Sequence, residues 1–526
     1  EECPSDEELN MTETASAPKS MMQRFLDTVE QVGNRVPHPV IIFLILIALV
    51  IVLSAILQAT GASVTYQVIN PETHAIETVT THARSLATAS GIRDMYVRLV
   101  PNFMGFAAIG LLVVAMVGVG VAEEAGLIRT LIRMIVAVAP AWSITYLLAF
   151  VGVLSSIAAD AGYVVLIPLA GAAFLSLGRH PLAGIALGFA AVAGAFNLNM
   201  LIKPLDAVLT ELTNDAIRMV DPTRTIDLTS GLWFSIVSVP LLVIVIALIT
   251  DRVISPRLGK FDPSQAEGTE PDTQGSGLAP AEWRGLAFAG VALVLVLGIC
   301  ALLTLPSGAP LRNPETGALI GNSPFMNGLI VAIMFVFLAT GVAYGIGAGT
   351  MKSNAEVIGA MTKAISGLGG TILLFLVISQ FIAYFNYSNL PTLMAVTMAD
   401  ALKAVDIGSI WMLLGFIVVV TLLNIVFTPA IAKWAIFAPV FVPLFVTLNV
   451  DPAAVLSAYR VGDSPTNTLT PLNPYFALVV GFAQKYAKDT GIGTVVALLL
   501  PYAMWMALAW TGLFVVWYLL GLPWGL

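Results

Sequence analysis

Arg460 and Asp463 stand three residues apart inside a polar run, 460–473, that interrupts an otherwise apolar segment. Residues at this spacing share one face of a helix. Such a pair predicts either a buried ion pair or an anion-binding arginine oriented by its carboxylate. Gly462 and Pro465 favour the second interpretation, because unwound backbone inside an apolar segment exposes polar groups that a purely structural pair does not need.

Lys203 and Asp206 repeat the same spacing in a second interrupting run, 197–206. The pair again predicts either an internal ion pair or a ligand site. A lysine gives up its proton more readily than an arginine does. A carboxylate beside a permanent cation stays ionised, so we expect Asp463, with Arg460 as its partner, to keep its charge. Asp206, with Lys203 as its partner, is expected to carry any transported proton.

Neutral oxygen donors cluster in the same regions of both halves of the chain. Hydroxyl, amide and carbonyl oxygens suit hard cations such as Na⁺. The alternative for each side chain is a hydrogen bond between helices, and Asp160 is either a cation ligand or a residue at a wet helix end. The predicted Na⁺ ligands are Ser155, Asn197, Asn199, Asn424, Thr428 and Thr466.

Trp434 follows Lys433 in an apolar block, away from the expected membrane surfaces. An aromatic side chain at this depth either fills the core or stacks on an aromatic ligand. Both interpretations stay open from the residues alone.

The composition is that of a polytopic membrane protein. The 526 residues are 58% hydrophobic and 11% charged, whereas soluble domains carry about 25% charged residues. The mean hydropathy is +0.91. There is no basic patch for nucleic acid, no metal-ligand spacing among the four histidines and no ATP-binding motif, so we expect any pumping to use an ion gradient.

The apolar pattern predicts nine membrane crossings. Two of them, 182–211 and 453–480, contain the polar runs. The other seven are uninterrupted, at about 39–59, 103–125, 230–250, 285–305, 325–348, 370–389 and 492–520.

Two further apolar blocks, 142–178 and 408–449, are too long for one helix and are broken near the middle. Each predicts a re-entrant hairpin, with two full spans joined by a tight turn as the alternative. The hairpin layout places twice as many Lys and Arg residues on the cytoplasmic side as outside, as membrane topology requires.

This layout predicts two inverted repeats joined by a cytoplasmic linker. The fold class is therefore an all-α polytopic membrane protein with nine transmembrane helices and two re-entrant hairpins. The predicted parts are an N-terminal tail 1–37, a first repeat 38–251, a linker 252–283, an extra span with an outer loop 284–322, and a second repeat 323–526. Residues 61–100 are expected to form an outer loop with a short β-hairpin.

From about residue 21 onward the chain resembles the aminobenzoyl-glutamate transporter (AbgT) family. The resemblance lies in the order of the elements, in the Pro204-Leu-Asp206 run, in the hairpin that holds Trp434, and in the polar positions of the second interrupted span. It implies an elevator-like, dimeric inner-membrane transporter fold similar to sodium/dicarboxylate carriers. The substrate-path residues that it implies are Asp206, Trp434, Pro452, Arg460, Asp463 and Pro471.

The family resemblance implies uptake of aminobenzoyl-glutamate in some members and export of sulfonamide antimetabolites in others. We therefore expect a multi-pass homodimer in a bacterial inner membrane that moves a folate-related aromatic anion with H⁺ or Na⁺, has no cofactor and is not an enzyme. One alternative is a sodium-coupled dicarboxylate carrier. Another is an intramembrane aspartyl protease, which the cation beside Asp463 disfavours.

Overall fold

The computed structural model describes residues 37–69, 76–137, 140, 143–157, 162–261, 278–320, 323–404, 408–488 and 490–526. Asp160 and half of the predicted linker, residues 262–277, lie outside these residues. The described part is mostly helical, with one antiparallel pair of strands, Ser63–Ile69 and Ile76–His82. These strands fall in the segment where the sequence predicts a short hairpin.

The two halves contain the same order of helices within the described residues. Each half has a long helix, a connecting helix, a second long helix, a second connecting helix, two helices in an apolar block, two parts of a broken helix and a final long helix. In the first half these are Pro39–Ala59, Ala89–Met104, Ala107–Glu124, Leu127–Ala137, Ile144–Leu154, Ile167–Ser176, Pro181–Gly194, Pro204–Arg218 and Leu232–Ile249. In the second half they are Leu329–Ala348, Asn354–Ser366, Gly369–Tyr387, Leu390–Ala404, Ser409–Asn424, Ala430–Thr447, Pro452–Asp463, Phe476–Gln484 and Ile492–Leu519.

Pro280–Thr304 lies between the halves and packs against Leu329–Ala348. The helix Leu232–Ile249 continues through a wider turn, Thr250–Ile254, into the short helix Ser255–Leu258. The ends of the predicted linker 252–283 are therefore helical. A second short helix, Pro324–Asn327, precedes the second half.

Eight helices of the described residues are long and apolar enough to span a membrane. Seven coincide with the seven uninterrupted runs, and the eighth, Ala430–Thr447, lies inside the block predicted as the second hairpin. The chain is thus a multi-pass membrane protein. The count of nine crossings and two re-entrant hairpins stays a prediction.

Four connecting helices were not predicted: Ala89–Met104, Leu127–Ala137, Asn354–Ser366 and Leu390–Ala404. Their polar residues lower the average hydropathy, so a search for continuous apolar runs passes over them. In each half the first of them joins two long helices, and the second joins a long helix to the apolar block.

We name the elements that build the site as follows. The first helix pair is Ile144–Leu154 with Ile167–Ser176, and the second helix pair is Ser409–Asn424 with Ala430–Thr447. The first broken helix is Pro181–Gly194 with Pro204–Arg218, and the second is Pro452–Asp463 with Phe476–Gln484.

Small residues let each helix pair approach the broken helix of its own half. A Cβ on Gly184 would lie 2.2 Å from Ala170 O, and a Cβ on Gly462 would lie 2.8 Å from Ile417 O. Both helices of the first pair pack against Pro181–Gly194, and both helices of the second pair pack against Pro452–Asp463. The polar breaks are thereby enclosed by protein, which satisfies unwound backbone in an apolar setting.

Candidate functional site

Proline and capping residues set where the broken helices start and stop. Asp451 accepts a hydrogen bond from Ala453 N at 3.0 Å, with Pro452 in the first helical position, where proline is favoured. The helix ends at Asp463, and Pro465 opens a short 3₁₀ turn, Pro465–Thr468. In the first half Pro204 opens the helix that carries Asp206.

Asp463 is the centre of a buried hydrogen-bond network. Its carboxylate pairs with the Lys433 ammonium and accepts hydrogen bonds from Tyr459 Oη at 3.0 Å and from Asn197 Nδ2. Asp463 and Lys433 are both fully buried. The network joins the second helix pair, the second broken helix and the break of the first broken helix, so the two halves of the chain meet at this carboxylate.

A second ion pair joins the two broken helices directly. Arg460 Nη1 lies 2.8 Å from Asp206 Oδ1, with both side chains largely buried. The contact lacks the angle of a hydrogen bond, since Asp206 Oδ1 has no hydrogen-bond partner within the described structure, and neither has Arg460 Nε. The other carboxylate oxygen, Asp206 Oδ2, accepts a hydrogen bond from Lys203 N at 2.9 Å.

The ion pairs predicted within each polar run are therefore wrong. Arg460 pairs with Asp206 and Lys433 pairs with Asp463, so both pairs join different elements. Lys203 cannot share a helical face with Asp206, because it is extended (φ −117°, ψ 163°) and precedes the helix. Its Nζ donates to Phe196 O instead.

This pairing also removes the reason for assigning the proton to Asp206. That assignment depended on a lysine partner. The partner found is Arg460, whose guanidinium keeps its proton in proteins.

The predicted Na⁺ ligands lie around both breaks, and the side-chain oxygens of four of the six, Ser155, Asn199, Asn424 and Thr466, already have hydrogen-bond partners. Ser155 Oγ donates to Gly152 O at 2.7 Å, and Asn199 Oδ1 accepts from Leu201 N at 3.0 Å. Asn424 Oδ1 accepts from the Lys433 ammonium. Asn197 Oδ1 is buried without a hydrogen-bond partner in the described part of the chain.

Thr466 lies beside Asn424, whose Nδ2 donates a hydrogen bond to Thr466 Oγ1 at 2.9 Å. Thr428 is half-buried in the turn between the two helices of the second pair. At this break the Lys433 ammonium holds the Asn424 and Asp463 oxygens that a bound cation would take. The donor set therefore does not fit Na⁺ in this conformation, and the Na⁺ assignment stays a prediction.

Trp434 lies in the core in this conformation. It is fully buried, its Nε1 donates to Leu209 O and Thr213 Oγ1 at 3.1 Å each, and its ring lies 4.5 Å from that of Tyr459. Stacking on an aromatic substrate stays a prediction, and it requires the Tyr459 contact to open. Pro452 is buried at the start of its helix, and Pro471 is half-buried in the break.

A small cavity lies beside Arg460 and Asp206. Its volume is about 10 Å³, which is room for roughly one water molecule. Asn199, Leu201, Gly231 and Ser235 are among its other lining residues. The site is closed in this conformation, because a substrate with an aromatic ring needs a cavity of about 300 Å³ or more.

Five charged side chains are buried in the described residues: Lys203, Asp206, Lys433, Arg460 and Asp463. All of them belong to the two broken helices, the first break and the second helix pair. The sequence shows Lys203 and Lys433 inside apolar segments, but it does not link Lys433 to Asp463. The role of Tyr459 had no sequence signal, because a tyrosine in an apolar helix is ordinary.

Comparison with known proteins agrees with this architecture. A family model described as the AbgT putative transporter family matches residues 24–526. The chain is 32% identical to the p-aminobenzoyl-glutamate transport protein of Escherichia coli (strain K12) over 497 residues, which cover 94% of this chain and 95% of that protein.

Two solved structures are similar over nearly the whole chain. The Alcanivorax borkumensis YdaH transporter, described as having an unusual topology, has a TM-score of 0.86 and 41% identity over 93% of this chain and 100% of its own. Neisseria gonorrhoeae MtrF, described as illuminating a class of antimetabolite efflux pumps, has a TM-score of 0.89 and 35% identity over 94% of this chain and 97% of its own.

These relatives are transport proteins rather than enzymes. The match of the family model spans both broken helices and both helix pairs. The chain belongs to the AbgT family of membrane transporters.

Proposed function

We propose that this chain is an ion-gradient-driven secondary transporter of p-aminobenzoyl-glutamate or a related aromatic anion of the folate pathway. The observation that carries the proposal is the charge of the buried site, where three cations face two carboxylates among the described residues. A net positive charge held away from water favours a bound anion. The name of the Escherichia coli relative supports this substrate.

The chemistry of the substrate suits two side chains of the site. A carboxylate suits Arg460, because a guanidinium binds carboxylates in a planar, bidentate geometry. Arg460 Nε has no hydrogen-bond partner within the described residues. The aromatic ring suits Trp434, which exchanges its contact with Tyr459 for one with the substrate. Both contacts require the closed site to open.

A second candidate function is export of sulfonamide antimetabolites. The description of MtrF as one of a class of antimetabolite efflux pumps favours it. A sulfonamide carries less negative charge than a dicarboxylate, so it gains less from the positive interior. We therefore place it second.

The sodium-coupled dicarboxylate alternative shares the charge argument but leaves Trp434 without an aromatic partner. The protease alternative is wrong. The relatives are transport proteins, and Asp206 and Asp463 each pair with a separate cation, whereas a catalytic dyad shares one proton between two carboxylates.

We further propose that the protein works as a homodimer in a bacterial inner membrane, with an elevator-like movement of the helix pairs and broken helices. The coupling ion is H⁺ or Na⁺. Lys433 at the second break favours H⁺, because its ammonium holds the oxygens that Na⁺ would use.

The test is transport by the purified protein in liposomes. Labelled p-aminobenzoyl-glutamate and a labelled sulfonamide are offered under separately imposed H⁺ and Na⁺ gradients, in both directions. We expect accumulation of p-aminobenzoyl-glutamate above the level of empty liposomes under one gradient. Accumulation of the sulfonamide alone would reverse the order of the two candidates, and movement of neither would contradict both.

A further inference from the structure

Lys203 is a buried ammonium without a carboxylate partner in the described part of the chain. Its side chain is 2% exposed, and none of the ion pairs within the described residues includes it. Nζ donates to Phe196 O, lies 3.5 Å from Ser156 Oγ and lies 5.3 Å from the centre of the Phe196 ring. These are neutral partners, so they satisfy hydrogen bonds without cancelling the charge.

The other buried charges balance one another. Asp206 is matched by Arg460, and Asp463 by Lys433. Lys203 is therefore the source of the excess positive charge in the described interior.

Helix ends do not cancel this charge. Each helix carries about half a negative charge at its C-terminus and half a positive charge at its N-terminus. The first helix pair is extended by a 3₁₀ turn, Ser155–Ile157, and a π-helical turn, Gly162–Leu166. Within the helix pairs and broken helices, four C-termini are then matched by four N-termini: Ile157, Gly194, Asn424 and Asp463 against Gly162, Pro204, Ala430 and Phe476. Their partial charges sum to about zero, which leaves one positive charge.

The Lys203 ammonium is linked to the lining of the cavity beside Arg460 through Ser156. Lys203 Nζ lies 3.5 Å from Ser156 Oγ, which accepts a hydrogen bond at 3.0 Å from Nδ2 of Asn199, a residue that lines the cavity. The backbone of Lys203 holds Asp206 through the hydrogen bond from Lys203 N to Asp206 Oδ2. Asp206 and Arg460 both line that cavity. An anion bound there would neutralise the interior, whereas a neutral ligand would leave it charged.

We propose that Lys203 is a specificity-determining residue that sets the charge of the transported molecule: its unpaired ammonium selects aromatic ligands that carry at least one carboxylate. This inference rests on the proposed function and adds the residue responsible for the preference. It assigns Arg460 the direct contact with the carboxylate and Lys203 the charge that makes the contact favourable. A second carboxylate on the ligand gains less than the first, because one charge already balances the interior.

The test measures affinities of the purified full-length protein by equilibrium dialysis. The ligands are p-aminobenzoyl-glutamate, its monoamides and its uncharged diamide. The variants are Lys203→Met, Lys203→Gln and Lys203→Arg. Lys363→Met is the matched control, because this lysine is exposed and pairs with Glu124 far from the site.

The wild type should prefer p-aminobenzoyl-glutamate to the diamide, and most of that preference should already be present in the monoamides. In Lys203→Met and Lys203→Gln the preference should fall by about tenfold or more, the scale of one charge-assisted hydrogen bond. Lys203→Arg and Lys363→Met should keep it. A purely structural role for Lys203 would weaken the acid and the diamide equally.

An unchanged ratio in Lys203→Met or Lys203→Gln would overturn the inference while leaving the proposed function in place. If neither neutral variant folds, the wild-type series decides the question. Equal affinity of the wild type for the monoamides and the diamide would overturn the inference. A wild type that binds none of these ligands would overturn the proposed function and the inference together.

Discussion

At the scale of single residues, the site is built from charges that find their partners across elements. Asp206 and Arg460 come from different broken helices, and Lys433 and Asp463 come from the second helix pair and the second broken helix. A buried charge needs a partner, and removal of one member leaves the other uncompensated. The same residues therefore hold the halves together and create the charge of the site.

Asp206→Asn and Arg460→Gln should each destabilise the protein by about 3–5 kcal/mol, because each leaves one buried charge unpaired. The double variant should lose clearly less than the sum of the two single losses. Thermal unfolding in detergent measures all three. Strict additivity would show that the two side chains do not interact.

Trp434→Phe should reduce stability by about 1–3 kcal/mol, because the Leu209 carbonyl and the Thr213 hydroxyl lose a buried hydrogen-bond donor. Trp434→Ala should cost about 3–5 kcal/mol, since it also leaves a cavity. If Trp434 also stacks on the substrate, affinity for an aromatic ligand should fall in the alanine variant and largely return in the phenylalanine variant. Equal ligand affinities in all three proteins would show that Trp434 does not stack on the substrate.

At the scale of elements, close helix contacts position the breaks. Gly462 packs against the helix Ser409–Asn424, where an added Cβ would lie 2.8 Å from both Ile417 O and Val420 Cβ. Gly415 lies on that same helix, with no atom within 4 Å of a Cβ at its position. Gly462 is therefore needed for the close approach of the two helices, and Gly415 is not.

Gly462→Ala should destabilise the protein by about 1–3 kcal/mol, because backbone atoms must move to accept the methyl group. It should also impair substrate binding, since the neighbouring Asp463 network shifts with the helix. Gly415→Ala is the matched control and should stabilise slightly, as alanine does in a helix. A melting temperature for Gly462→Ala at or above that of the wild type would contradict the packing argument.

His180 makes the stability of one helix start depend on pH. Its Nδ1 accepts a hydrogen bond from Leu182 N at 3.3 Å, outside the spanning segments, and burial lowers the pKa of its imidazole. The folded protein thus binds a proton less readily than the unfolded chain. Stability from this group is fully present above about pH 6.5 and is lost as the pH falls below it.

The melting temperature should therefore drop between about pH 7.5 and 5.5 by more in the wild type than in His180→Asn. Asparagine keeps an acceptor at the start of the helix but does not titrate. Parallel pH profiles for the two proteins would show that His180 does not contribute.

At the scale of the whole molecule, the contact between Ala107–Glu124 and Pro204–Arg218 separates two groups of helices. Ala115 and Ala207 pack together there. On the other side of Ala107–Glu124, Ala122 packs against Gly341 of the long helix Leu329–Ala348. The proposed elevator-like movement would slide the first contact and leave the second in place.

A cross-link between Ala115→Cys and Ala207→Cys should stop transport, and reduction should restore it. A cross-link between Ala122→Cys and Gly341→Cys should leave transport intact. Both pairs are made in a background that lacks Cys3 and Cys300. Full transport by the cross-linked first pair would rule out sliding at that contact.

The sequence by itself determined the class of protein and the location of the candidate site. Continuous apolar runs place seven of the eight helices that are long enough to span among the described residues. The polar runs mark both breaks. Polar residues inside an apolar segment are costly to bury, so they occur where protein contacts or a function compensate that cost. Two residues of the family pattern, Arg460 and Asp206, do come together. These features depend on local composition, which a linear chain displays.

Only the tertiary structure decided which charges pair. The sequence spacing favoured Arg460 with Asp463 and Lys203 with Asp206, but partners depend on which faces meet after the helices pack. The enclosure of Trp434 and the lack of a carboxylate partner for Lys203 within the described residues have the same origin. The connecting helices were missed for a different reason, since their polar residues interrupt the continuous apolar runs by which a spanning helix is recognised. Local pattern fixes what each segment is, and three-dimensional packing fixes which side chains face one another.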